Sequence, residues 1–269
     1  VEFLVQVSLQ ALPGGVDVST ALSDGEAVAS ARAVLLDWDG CIALGDRLQP
    51  AALRFMASRL DRVAVVSNNT TMLPEDFAAI LHRAGLALPL DRIVLAGTEA
   101  LARAVEIGPR RVMVLGDTRM RAYGRGLGLN IVREDADLVV LLRDTRFSYA
   151  RLERAANALI RGADLVVANP DLVHPGPGGR VTPETGALLA ALTACTAGAG
   201  LRQEVVGKPS ERLFRRALSV LGVQGEEAVM IGDNPATDLA GAAAIGARGI
   251  LIGPRSGLGF DELAAAAGR

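Results

Sequence analysis

Short β-branched runs recur along this chain, and most are followed by an Ala- and Leu-rich stretch of helical period. That alternation is the signature of βαβ units, which close as a parallel sheet covered by helices. Strands are expected at 33–36 (AVLL), 63–66 (VAVV), 92–96 (RIVLA), 204–206 (EVV), 228–231 (AVMI) and 249–252 (GILI). Helices are expected between them at 50–60, 74–85, 98–107, 185–196, 210–221 and 236–245. Pro74 and Ser210 suit helix N-termini, and Gly85 and Gly222 suit C-terminal caps.

From 110 to 180 the alternation continues in a different order, with strand-like RVMVLG, LNIV, DLVVLL and DLVVAN and helices near 118–127 and 148–161. The stretch NPDLVHPGPGGRVTP (169–183) is too rich in Pro and Gly for regular structure. The expected organisation is a core domain over 1–109 and 181–269, interrupted by an inserted α/β domain at 110–180. Residues 1–30 form an extension of uncertain structure, holding one helix before the first strand.

Composition narrows the function classes. The chain has 269 residues, half of them hydrophobic but only 3% aromatic, so Ala, Leu and Val must build the interior. A formal charge of −2 and a pI near 5.8 give no basic footprint for nucleic acid or an anionic membrane. No apolar run reaches the roughly 18 residues of a spanning helix. The first residues, VEFLVQVSLQALPGG, lack the basic start of a secretory signal. Two cysteines, Cys41 and Cys195, make no disulfide framework. Cytoplasm is the expected compartment, and the assembly state stays open, a homodimer included. One oddity stands out: a single lysine, Lys208, against 27 arginines.

Four polar clusters follow four of the apolar runs: Asp37 and Asp39 in DWDG, SNNT (67–70), GKP (207–209) and GDNPATD (232–238). Each alone reads as turn or cap chemistry. Open parallel sheets, however, bind ligands outside the carboxyl ends of their strands, so all four would gather on one rim. Asp37, Asp39, Asp233 and Asp238 would then repel one another strongly. Lys208 offsets one charge, and a hard divalent cation with oxygen ligands, Mg²⁺, offsets two more. A helix–loop–helix calcium site fails, because Gly40 stands at the wrong loop position, Cys41 replaces a ligand and Leu48 sits where the bidentate Glu should be. Zinc fails as well, since only His82 and His174 exist and neither lies in a ligand-spaced cluster.

Carboxylates, a lysine, a hydroxyl and Mg²⁺ form a phosphoryl-transfer set. Asp37 is placed to attack phosphorus, and Asp39 to protonate the leaving oxygen and later deprotonate water. Ser67, the main chain near Asn68, and Lys208 would hold the phosphoryl oxygens.

From about residue 30 onward the chain resembles the haloacid dehalogenase (HAD) superfamily phosphatases, carrying DWDG, SNNT, GKP and GDNPATD in that family's order. The resemblance implies a Rossmann-like core with helices on both faces of its sheet. It makes Asp37 the nucleophile and Asp39 the acid/base. The Asp37 carboxylate, the Asp39 main-chain carbonyl and Asp233 would bind Mg²⁺, Ser67 and Lys208 the phosphoryl group, with Asp238 supporting Lys208 or the metal's waters. An α/β insert between the second and third motifs resembles the C2-capped branch of nitrophenylphosphatase-like, NagD-like, phosphoglycolate and pyridoxal-phosphate phosphatases. By that likeness Asn169, Asp171 and His174 lie on the substrate-facing loop. Leu142 and Arg143 depart from the branch's usual Gly-x-Asp stretch, although Asp144 is kept. Arg143 is expected near the roof of the site.

The reading is therefore a Mg²⁺-dependent phosphomonoesterase acting on a small soluble phosphate ester. A dehalogenase has no need of Asp39, and a phosphomutase would usually carry a helical cap near the first motif. A non-catalytic binding protein of the same fold would have no reason to keep both Asp37 and Asp39. Arg151, Arg154 and Arg161 read as a solvated helix face. Cys41 reads either as a small buried hydrophobe or as a redox-sensitive thiol.

Overall fold

A computed structural model describes residues 23–45, 47–108, 111–175, 180–197 and 200–267. The first strand, β1 (Ala33–Leu36), is wholly out of solvent. It is preceded by α1 (Asp24–Ser30), whose start is closed by a capping box between Ser23 and Glu26. A two-residue-per-strand hairpin follows, β2 (Ala43–Leu44) with β3 (Arg47–Leu48). Then come α2 (Pro50–Ala57), β4 (Val63–Ser67), α3 (Pro74–Arg83), β5 (Ile93–Leu95) and α4 (Ala96–Ile107).

The chain next builds a second sheet: β6 (Arg111–Leu115), α5 (Thr118–Gly126), β7 (Asn130–Ile131), β8 (Leu138–Leu141), α6 (Tyr149–Ile160) and β9 (Asp164–Val167). A hairpin of β10 (Val173–Pro175) and β11 (Val181–Pro183) leads to α7 (Thr185–Cys195) and β12 (Gln203–Val205). It then returns through α8 (Glu211–Leu221), β13 (Ala228–Gly232), α9 (Ala240–Ala244), β14 (Arg248–Leu251) and α10 (Phe260–Ala267).

The first sheet runs β14-β13-β1-β4-β5 and the second β12-β9-β8-β6-β7, each parallel throughout. Both faces of the first sheet are buried, so its strands read as continuous apolar runs rather than alternating ones. Val34, Leu36, Val65 and Ile231 face a cluster completed by α2, α3 and α10. Leu35, Ala64 and Met230 face the other way, toward Phe214 and Ala217 of α8. That second cluster does not stop at the sheet. It continues through Ala100 and Leu101 of α4 to Val112, Leu138 and Val166 of the second sheet, so α4 packs on both sheets. The opposite face of the second sheet closes on Ala155 and Leu159 of α6 and Leu192 of α7.

The α/β class and the parallel core stand as expected. Gly85 (φ +85°) and Gly222 (φ +68°) follow α3 and α8 in the left-handed region, as helix stops. Four local expectations change. The run at 204–206 forms no first-sheet strand: β12 pairs with β9 at the edge of the second sheet. The Pro- and Gly-rich stretch holds the β10–β11 hairpin, because Pro175 and Pro183 fall at strand ends, where a missing donor costs little. The helix expected over 236–245 opens as a π-helical turn, Pro235–Leu239, before α9. Of the arginines read as a solvated helix face, Arg154 and Arg161 are exposed as expected, but Arg151 is half-buried against a carboxylate. Arg151 pairs with the buried Asp144 at 2.6 Å, Arg154 with Glu134 at 3.2 Å, and Arg161 with Asp135 at 3.5 Å. Among the described residues no helix is long and apolar enough to cross a membrane. The unusual N-terminal sequence lies outside the described residues.

Candidate active site

Adjacent strands deliver the polar clusters to one rim. Asp37 follows β1, Ser67 ends β4, and Asp233 follows β13; β1 lies between the other two strands. Lys208 arrives differently from the sequence expectation. It leaves the second sheet just after β12 and precedes α8, so the chain re-enters the first sheet's neighbourhood at this residue.

The centre is a buried ammonium between two carboxylates. Lys208 Nζ donates to Asp37 Oδ1 at 2.5 Å and to Asp238 Oδ1 at 2.7 Å. All three side chains are at most 9% exposed. Burial pushes the Asp37 carboxyl up to about 7, against the opposing pull of Lys208. Burial alone would push the Lys208 ammonium down, but Asp37 and Asp238 outweigh it and hold it above the ordinary lysine value. Asp238 reaches inward because the π-turn swings it over Gly232. A Cβ at Gly232 would lie 2.2 Å from Asp238 Oδ2. That same oxygen accepts the Asn234 N–H at 3.0 Å.

Asp39 lies on the turn after β1, which is closed by Gly40 N–H to the Ala43 carbonyl at 2.8 Å. Gly40 is required twice over: its φ is +83°, and a Cβ there would lie 2.3 Å from Asp233 Oδ2. Asp39 opens to solvent, yet the surrounding protein removes enough water to raise its carboxyl, against Lys208 and His174, which lower it. Burial likewise raises Asp233, helped by Asp238.

Asp37, Asp233 and Asp238 each bring a carboxylate oxygen within 4.8 Å of the other two. An anionic, all-oxygen set facing a single ammonium fits a hard divalent cation. Asp37 and Asp233 are the freer members, because both oxygens of Asp238 already accept hydrogen bonds. Asp39 is not one of this carboxylate trio; its expected contribution is a main-chain carbonyl.

Ser67 is 1% exposed, and its Oγ accepts the Asn69 N–H at 3.1 Å, leaving the hydroxyl proton to donate. The Asn68 side chain is taken up elsewhere, which leaves the expected main-chain role open. Its Oδ1 accepts the Lys208 N–H at 2.7 Å, while Nδ2 donates to the Lys208 carbonyl at 3.1 Å and to Asp171 Oδ2 at 2.9 Å. Any phosphoryl contact from Asn68 therefore falls to its main chain. The side chain is a clasp that fixes the backbone of Lys208. Asn169 adds to it by donating from Nδ2 to the Asn68 carbonyl at 2.6 Å and accepting the Asp171 N–H at 3.1 Å. Gly207 lets these segments close, since a Cβ there would lie 2.4 Å from the Ala168 carbonyl oxygen.

The remaining expected residues meet over a carboxylate that sequence reasoning missed. Glu184 Oε1 lies 2.6 Å from His174 Nδ1 and accepts from Arg143 Nη1 at 3.1 Å. Arg143 also donates its main-chain N–H to Thr70 Oγ1 at 3.2 Å, tying the end of β8 to the second motif. The only sequence signal for Glu184 was a carboxylate directly before a helix, which reads as a cap. Cys41 is fully buried, its thiol donating to the Ile231 carbonyl at 3.5 Å, and burial with Asp37 pushes it well up. It is a small hydrophobe here, not a reactive thiolate. Trp38 packs on Phe77 with ring centroids 4.3 Å apart.

Comparison with known proteins agrees with this geometry. A profile of haloacid dehalogenase-like hydrolases matches residues 34–130, and a HAD-hydrolase-like profile matches 205–257. The chain is 31% identical over 233 residues to the dihydroxyacetone phosphatase of Corynebacterium glutamicum, covering 84% of this chain and 82% of that protein. It is similar in structure to the 4-nitrophenylphosphatase of Thermotoga maritima, with TM-score 0.80 and 26% identity over 90% of this chain and 99% of that one. The p-nitrophenyl phosphatase of Archaeoglobus fulgidus gives TM-score 0.77 at 29% identity, covering 89% of this chain and 94% of that one. With two parallel sheets and a buried Asp–Lys–Asp centre at one rim, the chain belongs to the haloacid dehalogenase superfamily, among its C2-capped phosphatases.

Proposed function

We propose that this protein is a Mg²⁺-dependent phosphomonoesterase that hydrolyses a small soluble phosphate ester through an aspartyl-phosphate on Asp37. The observation that carries the reading is the Asp37–Lys208–Asp238 centre with Asp39, two residues past Asp37, exposed to solvent.

In the first half-reaction an Asp37 oxygen bonds to phosphorus while the ester P–O bond breaks. Asp39 gives its proton to the departing alkoxide. In the second, water attacks phosphorus, Asp39 takes the water's proton, and the Asp37–phosphorus bond breaks to release phosphate. Lys208, the Ser67 hydroxyl and the main chain at Asn68 hold the phosphoryl oxygens in line. Asp37 and Asp233, with the Asp39 carbonyl, would hold Mg²⁺. Bound there, the ion supplies charge neutralisation, so that an anionic nucleophile and an anionic phosphate can approach.

Residues 110–180 are proposed as the cap, and α7 and β12 join their sheet's packing and pairing, so the covering unit extends to about 205. The loop from Asn169 to His174 roofs the cleft: Asp171 bonds Asn68, and His174 acts electrostatically on Asp39. A roofed cleft favours small molecules over polymers. Unpaired Cys41 and Cys195 accord with a cytoplasmic setting.

Nitrophenol release from 4-nitrophenyl phosphate, with Mg²⁺ and with chelator, tests the reading. Asp37→Asn is expected to abolish release while the fold persists. Retention above about 10% of wild-type turnover removes Asp37 from the nucleophile role. Asp39→Asn is expected to slow alkyl esters more than the nitrophenyl ester, whose leaving group needs no proton; equal losses contradict its acid role.

A further inference from the structure

Away from the cleft, a pocket of about 390 Å³ opens beside β6 and β7 in the second sheet. Strand β7 pairs with Arg111 and Val112 alone, so among the described residues the edge of β6 beyond them has no strand beside it. Five arginines line the opening. Arg121 and Arg125 stand one turn apart on α5, Arg151 and Arg154 one turn apart on α6, and Arg133 follows β7.

Among the described residues two carboxylates pair with these five charges, and Asp117 acts on Arg121 without bonding it. Asp144 takes Arg151 at 2.6 Å and Glu134 takes Arg154 at 3.2 Å. Arg121 donates to the Gly116 carbonyl and, at 3.1 Å, to Thr118 Oγ1, both neutral acceptors. Burial and then the neighbouring Arg151 push its guanidinium below the ordinary arginine value. Among the described residues no side chain pairs with Arg125 or Arg133. A larger hollow elsewhere on the same sheet shows the contrast: Arg111 there faces Asp137 at 3.1 Å, and Arg161 faces Asp135 at 3.5 Å. The pocket beside β7 thus concentrates cationic charge beyond its carboxylates. Its floor is apolar, made by Met113, Leu115 and Ile131.

We propose that this pocket is a binding site for an organic polyphosphate of nucleotide size, separate from the catalytic cleft. Fork-shaped guanidinium groups suit phosphate oxygens bidentately. The apolar floor suits a base or similar flat body, and the volume lies within the usual range for small-molecule pockets. A bare inorganic anion would use only half of this surface.

Isothermal titration of the full chain with ATP in the presence of EDTA tests the site. Without divalent cation, the four carboxylates of the catalytic rim disfavour a polyanion there. One saturable site per chain is expected, with ATP binding more tightly than inorganic tripolyphosphate and adenosine alone binding weakest. Arg125→Ala with Arg133→Ala, both exposed and unpaired among the described residues, is expected to weaken ATP by about tenfold or more and to leave nitrophenol release unchanged. No saturable binding up to about 1 mM, or equal binding by the double variant, overturns the proposal. Tripolyphosphate binding as tightly as ATP overturns the organic half of it.

Discussion

At the scale of single residues, Lys208 is the most informative position. A chain that writes 27 of its basic residues as Arg keeps an ammonium here. The geometry gives the reason. Nζ fits between two carboxylate oxygens at 2.5 and 2.7 Å in a dry setting, where a planar guanidinium is wider and demands a bidentate partner. Lys208→Arg is therefore expected to fold, since formal charge is kept, yet to lose at least about 90% of kcat on nitrophenyl phosphate. Full activity in that variant contradicts the assignment.

At the scale of elements, the segments around the cleft are held by side chains whose roles were only partly legible. Asp37, Ser67 and Asp233 could be found because polar residues behind buried apolar runs gather on one rim of a parallel sheet, whereas Lys208 follows a strand of the other sheet. Asn68 was found for its main chain, but the use of its side chain was not: bonds to both main-chain groups of Lys208 and to Asp171 become visible only when positions 140 apart in sequence have been brought together. Glu184 was missed because a carboxylate before a helix is common capping chemistry. Its partners His174 and Arg143 come from β10 and the end of β8. The run at 204–206 was assigned to the wrong sheet because a three-residue strand carries no mark of which neighbour it will pair with. Glu184→Gln removes the charge that organises this group while keeping its size. It is expected to change KM for alkyl phosphate esters several-fold and to leave kcat for the nitrophenyl ester nearly unchanged. An unaltered ester profile contradicts a role for this group in selecting substrates.

At the scale of the molecule, two parallel sheets share one apolar cluster through α4, and the catalytic rim lies where the chain passes back from the second sheet at Lys208. The α/β class was legible from the alternation of runs alone. That the two sheets share a core was not, because buried Ala and Leu on α4 look the same whichever sheet they meet. Hydrogen bonds of Asn68, Asn169 and Asp171 tie the proposed cap loop to the second motif, and on the proposed reading this loop keeps a folded protein out. Small alkyl phosphate esters are expected to be hydrolysed at least about 100-fold more efficiently, by kcat/KM, than a folded phosphoserine protein. Comparable efficiency on the phosphoprotein contradicts a roofed site.

The central claim is that Asp37 itself carries the phosphoryl group. Borohydride reduces an acyl phosphate to an alcohol and leaves a free carboxylate untouched. Wild-type protein turning over a phosphate ester with Mg²⁺ is therefore treated with borohydride, and the peptide holding Asp37 and Asp39 is sequenced by mass. The account predicts substrate-dependent reduction at Asp37 and none at Asp39. Reduction at Asp39, or none at either residue during active turnover, would contradict it.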